Sequence, residues 1–120
     1  MKKQPKNSKN PSLPNNLKIV IACDSAGLIL KNQLINWLKK TPITLFDVPL
    51  LTTKPVDYPK IVQKAAHRFQ TENADFTILI CGSGTGVAMV ANRFRFWRAY
   101  RFSQTDWVGL KLARDHNNAN

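Results

Sequence analysis

The sequence predicts an α/β domain built on a parallel sheet with helices on both faces. Short apolar, β-branched runs at Lys18–Cys23, residues 43–48 and Phe76–Ile80 alternate with stretches whose apolar residues recur every three or four positions. The run FTILI is apolar enough for a strand buried on both faces, and its neighbours imply right-handed βαβ crossovers. The first and third runs each end in a turn of small residues that opens a helix.

Residues 1–17 are rich in Pro, Asn and Lys, cannot bury much surface, and are expected to form a disordered basic tail. The α/β domain then occupies residues 18–120. After the strand KIVIAC, Asp24, Ser25, Ala26 and Gly27 turn the chain, and Leu30, Leu34, Trp37 and Leu38 recur at helical spacing until Thr41 and Pro42 stop the helix. Residues 43–48 form the second strand and residues 49–55 a loop. Asp57 suits an N-cap, with Pro59 in the first turn of a helix carrying Ile61, Val62, Ala65, Ala66 and Phe69. His67 falls on the solvent side of that helix. Phe76–Ile80 is expected to be the central strand, followed by a glycine turn and a short third helix through Asn92. Residues 97–102 read as a fourth strand. Ser103 and Asp106 resemble a loose capping box opening a fourth helix that runs to Arg114.

With 120 residues and 43% hydrophobic content, the chain suits one globular domain with a modest core. No apolar run approaches membrane-spanning length, and the N-terminus lacks the apolar stretch of a secretory signal and the arginines of a transit peptide. The two cysteines, Cys23 and Cys81, make neither a disulfide framework nor a metal spacing, so a reducing cytoplasm is the expected compartment. A net charge of +11 raises the question of nucleic acid, with the tail lysines and Arg93, Arg95, Arg98 and Arg101 supplying much of it. No zinc-finger spacing or RNA-binding signature accompanies that charge, which is read as solvated surface or as attraction for a small anion.

The glycine turn CGSGTG concentrates the chemistry. No Gly-Lys-Ser/Thr follows, so it is not a Walker loop; Val87 replaces the third glycine of a dinucleotide fingerprint, and Cys81 stands where a nucleophile elbow needs glycine. A bland βα turn and an anion-binding turn both fit these residues. Ligands of parallel sheets bind beyond the carboxyl ends of the strands, where Asp24 and Cys81 both fall.

Taken together, KIVIACDSAG, VDYP, ADFTILICGSGTGVAMVAN, WRAY and ARDHNNAN resemble the ribose-5-phosphate isomerase B family, with the galactose-6-phosphate isomerase subunits as relatives, over residues 18–120. The resemblance implies a three-layer, Rossmann-like fold and an aldose-ketose isomerase that interconverts ribose 5-phosphate and ribulose 5-phosphate in the pentose phosphate pathway. It also implies no metal or organic cofactor, and a homodimer or homotetramer with sites between subunits. By the same resemblance Cys81 matches the base, in surroundings of backbone N–H groups that favour a thiolate. Other members carry a carboxylate just after the last glycine, where this chain has Val87. Gly82, Ser83, Gly84 and Gly86 match the anion hole, His116 the ring-opening residue, Asn117 a substrate ligand, Asp24 the carboxylate that holds sugar hydroxyls, and Tyr58 an aromatic beside the site.

Two departures stand beside the matches. Ser25 replaces a family histidine that contacts phosphate, keeping a hydrogen bond but bringing no positive charge. The family's fifth strand, arginine-bearing turn and C-terminal helix, with several phosphate ligands, have no counterpart here. Arg93, Arg95 and Arg98 are the candidate substitutes. The alternative expectations are a truncated or degenerate member that binds sugar phosphate or assembles without catalysis, and, on charge alone, a nucleic-acid-binding accessory protein.

Overall fold

The computed structural model describes residues 15–52 and 54–120, so most of the expected tail lies outside the described residues. The elements are β1 (Lys18–Cys23), α1 (Leu28–Leu38), β2 (Thr44–Asp47), α2 (Tyr58–Thr71), β3 (Phe76–Ile80), α3 (Thr85–Ala91) and α4 (Trp107–Asn117), with one 3-10 turn, Ser25–Gly27, between β1 and α1. The three strands are parallel in the order β2-β1-β3, with Ile21 opposite both Asp47 and Ile78. The fold is the expected α/β arrangement, with helices on both faces.

The centre of the sheet is β1, a correction to the expectation that β3 would hold that place. Residues Val20 to Ala22 of β1 are fully buried, whereas Phe76 to Leu79 of β3 are only half-buried. An apolar run reports two covered faces, but not whether a neighbour stands on each edge. Alternation along β1 divides the core: Val20 and Ala22 pack with α2, α3 and Trp97, while Ile21 and Cys23 pack with Ile35 and Ile80 on the α1 face.

Residues 97–102 are extended but form no strand, which corrects the fourth-strand expectation. Trp97 is buried among the rings of Phe69, Phe94 and Phe96, with centroids 5.1–5.6 Å away. The residues after it have no ladder partner in β3; Ala99 is held instead by the Asn92 side chain, which accepts from its N–H at 2.8 Å and donates to its C=O at 3.0 Å.

Helix positions differ from expectation in three places. In α1 the buried face is Lys31, Ile35 and Leu38, so Leu30 and Trp37 point outward, the latter 62% exposed. Asp57 occupies the N-cap of α2 but its side chain makes no capping bond. For α4 the cap is Asp106, which accepts from Gly109 N–H, rather than Ser103, and the helix continues through His116 and Asn117.

The one-residue rotation of α1 follows from Lys31. Its ammonium, 2% exposed as a residue, donates to Asp47 Oδ1 at 2.7 Å and to the Val48 carbonyl at 3.1 Å, joining α1 to the end of β2. Asp47→Ala would leave that buried charge with one carbonyl partner and is expected to cost about 2 kcal/mol, discounted because the carboxylate is half exposed. Lys31→Met should be close to neutral. Urea denaturation of both variants checks this pair, and equal losses would contradict it.

Candidate functional site

The site is assembled where β1 and β3 end side by side. Asp24 N–H donates to the Ile80 carbonyl at 3.1 Å and clamps the two carboxyl ends together. Asp24 Oδ1 accepts from Gly27 N–H at 3.0 Å, which fixes the 3-10 turn and commits one carboxylate oxygen to the fold. Ser25 opens that turn and is exposed. Gly27 is buried so closely that a Cβ there would lie 2.7 Å from the Ile80 carbonyl oxygen.

The glycine turn lies against this first turn. A Cβ on Gly82 would meet only the Ala26 methyl, at 3.9 Å. Gly84 takes the left-handed conformation (φ 76°), which glycine adopts without strain, and this aims its N–H back at the Cys81 sulfur, 2.9 Å away. Cys81 is half-buried and packs against the α2/α3 core, and its sulfur meets the Gly84 donor. Ser83 Oγ accepts from Thr85 N–H at 3.2 Å, which leaves its own proton to donate. Among the described residues the amides of Gly82, Ser83 and Gly86 have no hydrogen-bond partner. Of the expected anion-hole amides, Gly84 is therefore committed to the thiol, and the other three have no partner among the described residues. Tyr58, at the start of α2, lays its ring on Gly86, where a Cβ would come within 2.7 Å of it.

Asp24, Ser25, Tyr58, Cys81, Gly82, Ser83, Gly84 and Gly86 are thus gathered on one rim, whereas His116 and Asn117 are not. Arg114, one half-turn before His116, stacks on the Phe76 ring at 4.6 Å, at the amino end of β3. Cys81 lies past the other end, about 16 Å of strand away. Both His116 and Asn117 are exposed. A hydrogen bond from Lys111 holds the neighbouring Asp115 carboxyl below the usual carboxylate range.

The basic residues divide differently from expectation. Arg98 Nε donates to the Asn118 carbonyl at 2.8 Å, at the amino end of the sheet, and Arg93 and Arg95 follow α3 after it has run away from the site. Arg101 is the arginine at the rim: its Nε donates to the Ser83 carbonyl at 2.8 Å and its stem packs near Gly84. Sequence reasoning counted it only as charge. The sole available signal is its place two residues beyond Ala99 in an extended segment running toward the glycine turn.

The two cysteines face different surroundings. Burial pushes the Cys23 thiol up from its ordinary range, and the residue is 2% exposed. Iodoacetamide near neutral pH is expected to modify Cys81 and spare Cys23, read by peptide mass spectrometry. Equal labelling of the folded protein would contradict this placement. Among the described residues no three His, Cys, Asp or Glu side chains are grouped to hold a metal ion, and no helix is long and apolar enough to cross a membrane.

Comparison with known proteins gives this rim a context. Residues 19–120 match the family model described as Ribose/Galactose Isomerase. The chain is 32% identical over 103 residues to ribose-5-phosphate isomerase B of Escherichia coli, covering 86% of this chain and 68% of that protein. It is 37% identical over 103 residues to ribose-5-P isomerase B of Listeria innocua, with the same coverage. The crystal structure of a ribose 5-phosphate isomerase from Thermotoga maritima superposes with a TM-score of 0.77 at 39% identity, over 87% of this chain and 70% of that one. With residues 19–120, the glycine turn among them, inside the family match, the chain belongs to the ribose/galactose isomerase family, which includes the ribose-5-phosphate isomerases B.

Proposed function

We propose that this protein is a cytoplasmic aldose-ketose isomerase of the pentose phosphate pathway that interconverts ribose 5-phosphate and ribulose 5-phosphate without a cofactor. The observation that carries the reading is the Cys81 sulfur held by Gly84 N–H beside three unpartnered amides. In this mechanism the Cys81 thiolate takes the proton from C2 of the open-chain aldose, and the resulting enediolate oxygen rests on the amides of Gly82, Ser83 and Gly86, helped by the Ser83 hydroxyl. The thiol then returns the proton to C1 as a hydroxyl proton passes between the two oxygens. Each such donor contributes about 3 kcal/mol to the transition state. Asp24 and Tyr58 hold sugar hydroxyls, and Arg101 steadies the turn through Ser83.

His116 opens the sugar ring and Asn117 binds substrate, both supplied by a second subunit. Their distance from Cys81 supports a shared site, as do the exposed apolar residues Ile29, Leu30 and Trp37 on α1 and Trp107, Val108 and Leu112 on α4. Isomerisation of ribose 5-phosphate by the purified protein is the first test. Mixing Cys81→Ala with His116→Ala then tests the sharing: random dimers rebuild one intact site in each mixed pair, so about a quarter of wild-type activity should return. No recovery after verified subunit exchange would place both residues in one subunit's site.

Ser25 favours a second reading, sugar-phosphate binding without turnover, because it lacks the charge of the family's histidine. Tight ribose 5-phosphate binding in titration calorimetry, with no isomerisation, would select it.

A further inference from the structure

We propose that Arg101 is a positioning residue for the thiol chemistry: acting through the Ser83–Gly84 peptide, its guanidinium strengthens the hydrogen bond that holds the Cys81 sulfur. The inference deepens the isomerase reading and rests on Cys81 as its base. Two hydrogen bonds meet in one peptide group. Arg101 Nε donates to the Ser83 carbonyl oxygen at 2.8 Å, and the N–H of that same peptide unit, which belongs to Gly84, donates to Cys81 Sγ at 2.9 Å. In a trans peptide the C=O and the N–H point in opposite directions, and no cis bond occurs among the described residues. The guanidinium and the sulfur therefore sit on opposite sides of one rigid plane.

The charge adds what a neutral donor would not. A cation at the carbonyl draws electron density toward the oxygen, which leaves the N–H across the peptide more positive and a better donor. A better donor favours the thiolate over the thiol, because the charged sulfur is the stronger acceptor. Among the described residues no carboxylate forms an ion pair with Arg101, so its charge is not neutralised locally. The positive φ of Gly84 aims the N–H at the sulfur, and the arginine stem lies against the same residue, with Cγ 3.5 Å from where a Cβ would stand.

Arg98 provides the contrast within the same extended segment. Its Nε also donates to a backbone carbonyl, that of Asn118, at 2.8 Å. The N–H across that peptide belongs to Ala119 and ends on the Ala113 carbonyl at 3.0 Å, so the same arrangement there serves only the fold. At Arg101 the chain of donors ends on a nucleophile.

The test compares the rate at which iodoacetamide alkylates Cys81 in the wild-type chain and in Arg101→Met, at one near-neutral pH and without substrate, by peptide mass spectrometry. Loss of the relay is expected to slow alkylation at least about twofold, a modest factor because the guanidinium is exposed and screened by water. An arginine that only braces the turn predicts the opposite sign, since a loosened turn would uncover the half-buried sulfur and speed its alkylation. An unchanged or faster rate in Arg101→Met, with Cys23 still protected, overturns the proposal. A second measurement leaves Arg101 in place. In Cys81→Ala the Gly84 N–H loses its acceptor, and the Arg101 Nε–H resonance of isotopically labelled protein is expected to move while that of Arg98 stays. An unmoved Arg101 resonance, or an equal shift at Arg98, overturns the proposal even where Arg101→Met does not fold. Neither readout involves turnover, so isomerisation can fail while the relay stands, and the relay can fail while Cys81 still acts as the base.

Discussion

Cys81→Ala is expected to remove at least about a thousandfold of the proposed ribose 5-phosphate isomerisation rate, because Cys81 is the group to which the proposed reaction gives the C2 proton. The neighbouring position Val87 is an apolar side chain buried in the core, and Asp24 has one carboxylate oxygen tied to Gly27. The stability cost should be only about 1 kcal/mol, the loss of an acceptor for Gly84 N–H. Cys81→Ser restores an acceptor and is expected to recover most of that stability without recovering the rate. Urea midpoints and initial rates measured on the same preparations separate the two effects. Retained turnover in Cys81→Ala would remove Cys81 from the chemistry.

Gly27→Ala should act on the fold with comparable force. In an ordinary turn or helix this exchange is stabilising by up to about 1 kcal/mol, since it restricts the unfolded chain. Here the added methyl would stand 2.7 Å from both the carbonyl oxygen and Cγ2 of Ile80, and 3.0 Å from Cys23 Cβ. A side chain could rotate away, but the Ile80 carbonyl is fixed by the bond it accepts from Asp24. Destabilisation of about 3 kcal/mol is expected, together with loss of activity as the ends of β1 and β3 separate. Gly82→Ala is the control: with only Ala26 at 3.9 Å, it should change stability by less than about 0.5 kcal/mol. A neutral Gly27→Ala would mean that the first turn moves freely over β3.

The parts of this molecule legible in its sequence are those determined by neighbours along the chain. β1 and β3 have the predicted bounds, the second helix has the predicted buried face of Ile61, Val62, Ala65 and Ala66, and the glycine turn forms where small residues cluster. The errors arise where a distant group decides. Lys31 is a polar letter in the sequence, but Asp47 and the Val48 carbonyl draw it inside, and α1 rotates to suit. The pattern FTILI cannot say which edge of β3 lacks a neighbour. Residues 97–102 have strand-like composition without a strand to pair with. At the site, the local half around Cys81 was readable as one motif, whereas the placement of His116 depends on where α4 ends in space, and the rim position of Arg101 depends on the course of an extended segment.

The Asn92 side chain has a further consequence, for solubility. By accepting from and donating to the backbone of Ala99, its carboxamide imitates one rung of a neighbouring strand and leaves that rung nothing to offer a passing chain. Exposed ladders invite fibre growth when both borders of a sheet can recruit. With that rung occupied by one amide side chain, the backbone at Ala99 has less to offer a passing chain, and replacing Asn92 would put at risk the protein's resistance to aggregation more than its chemistry.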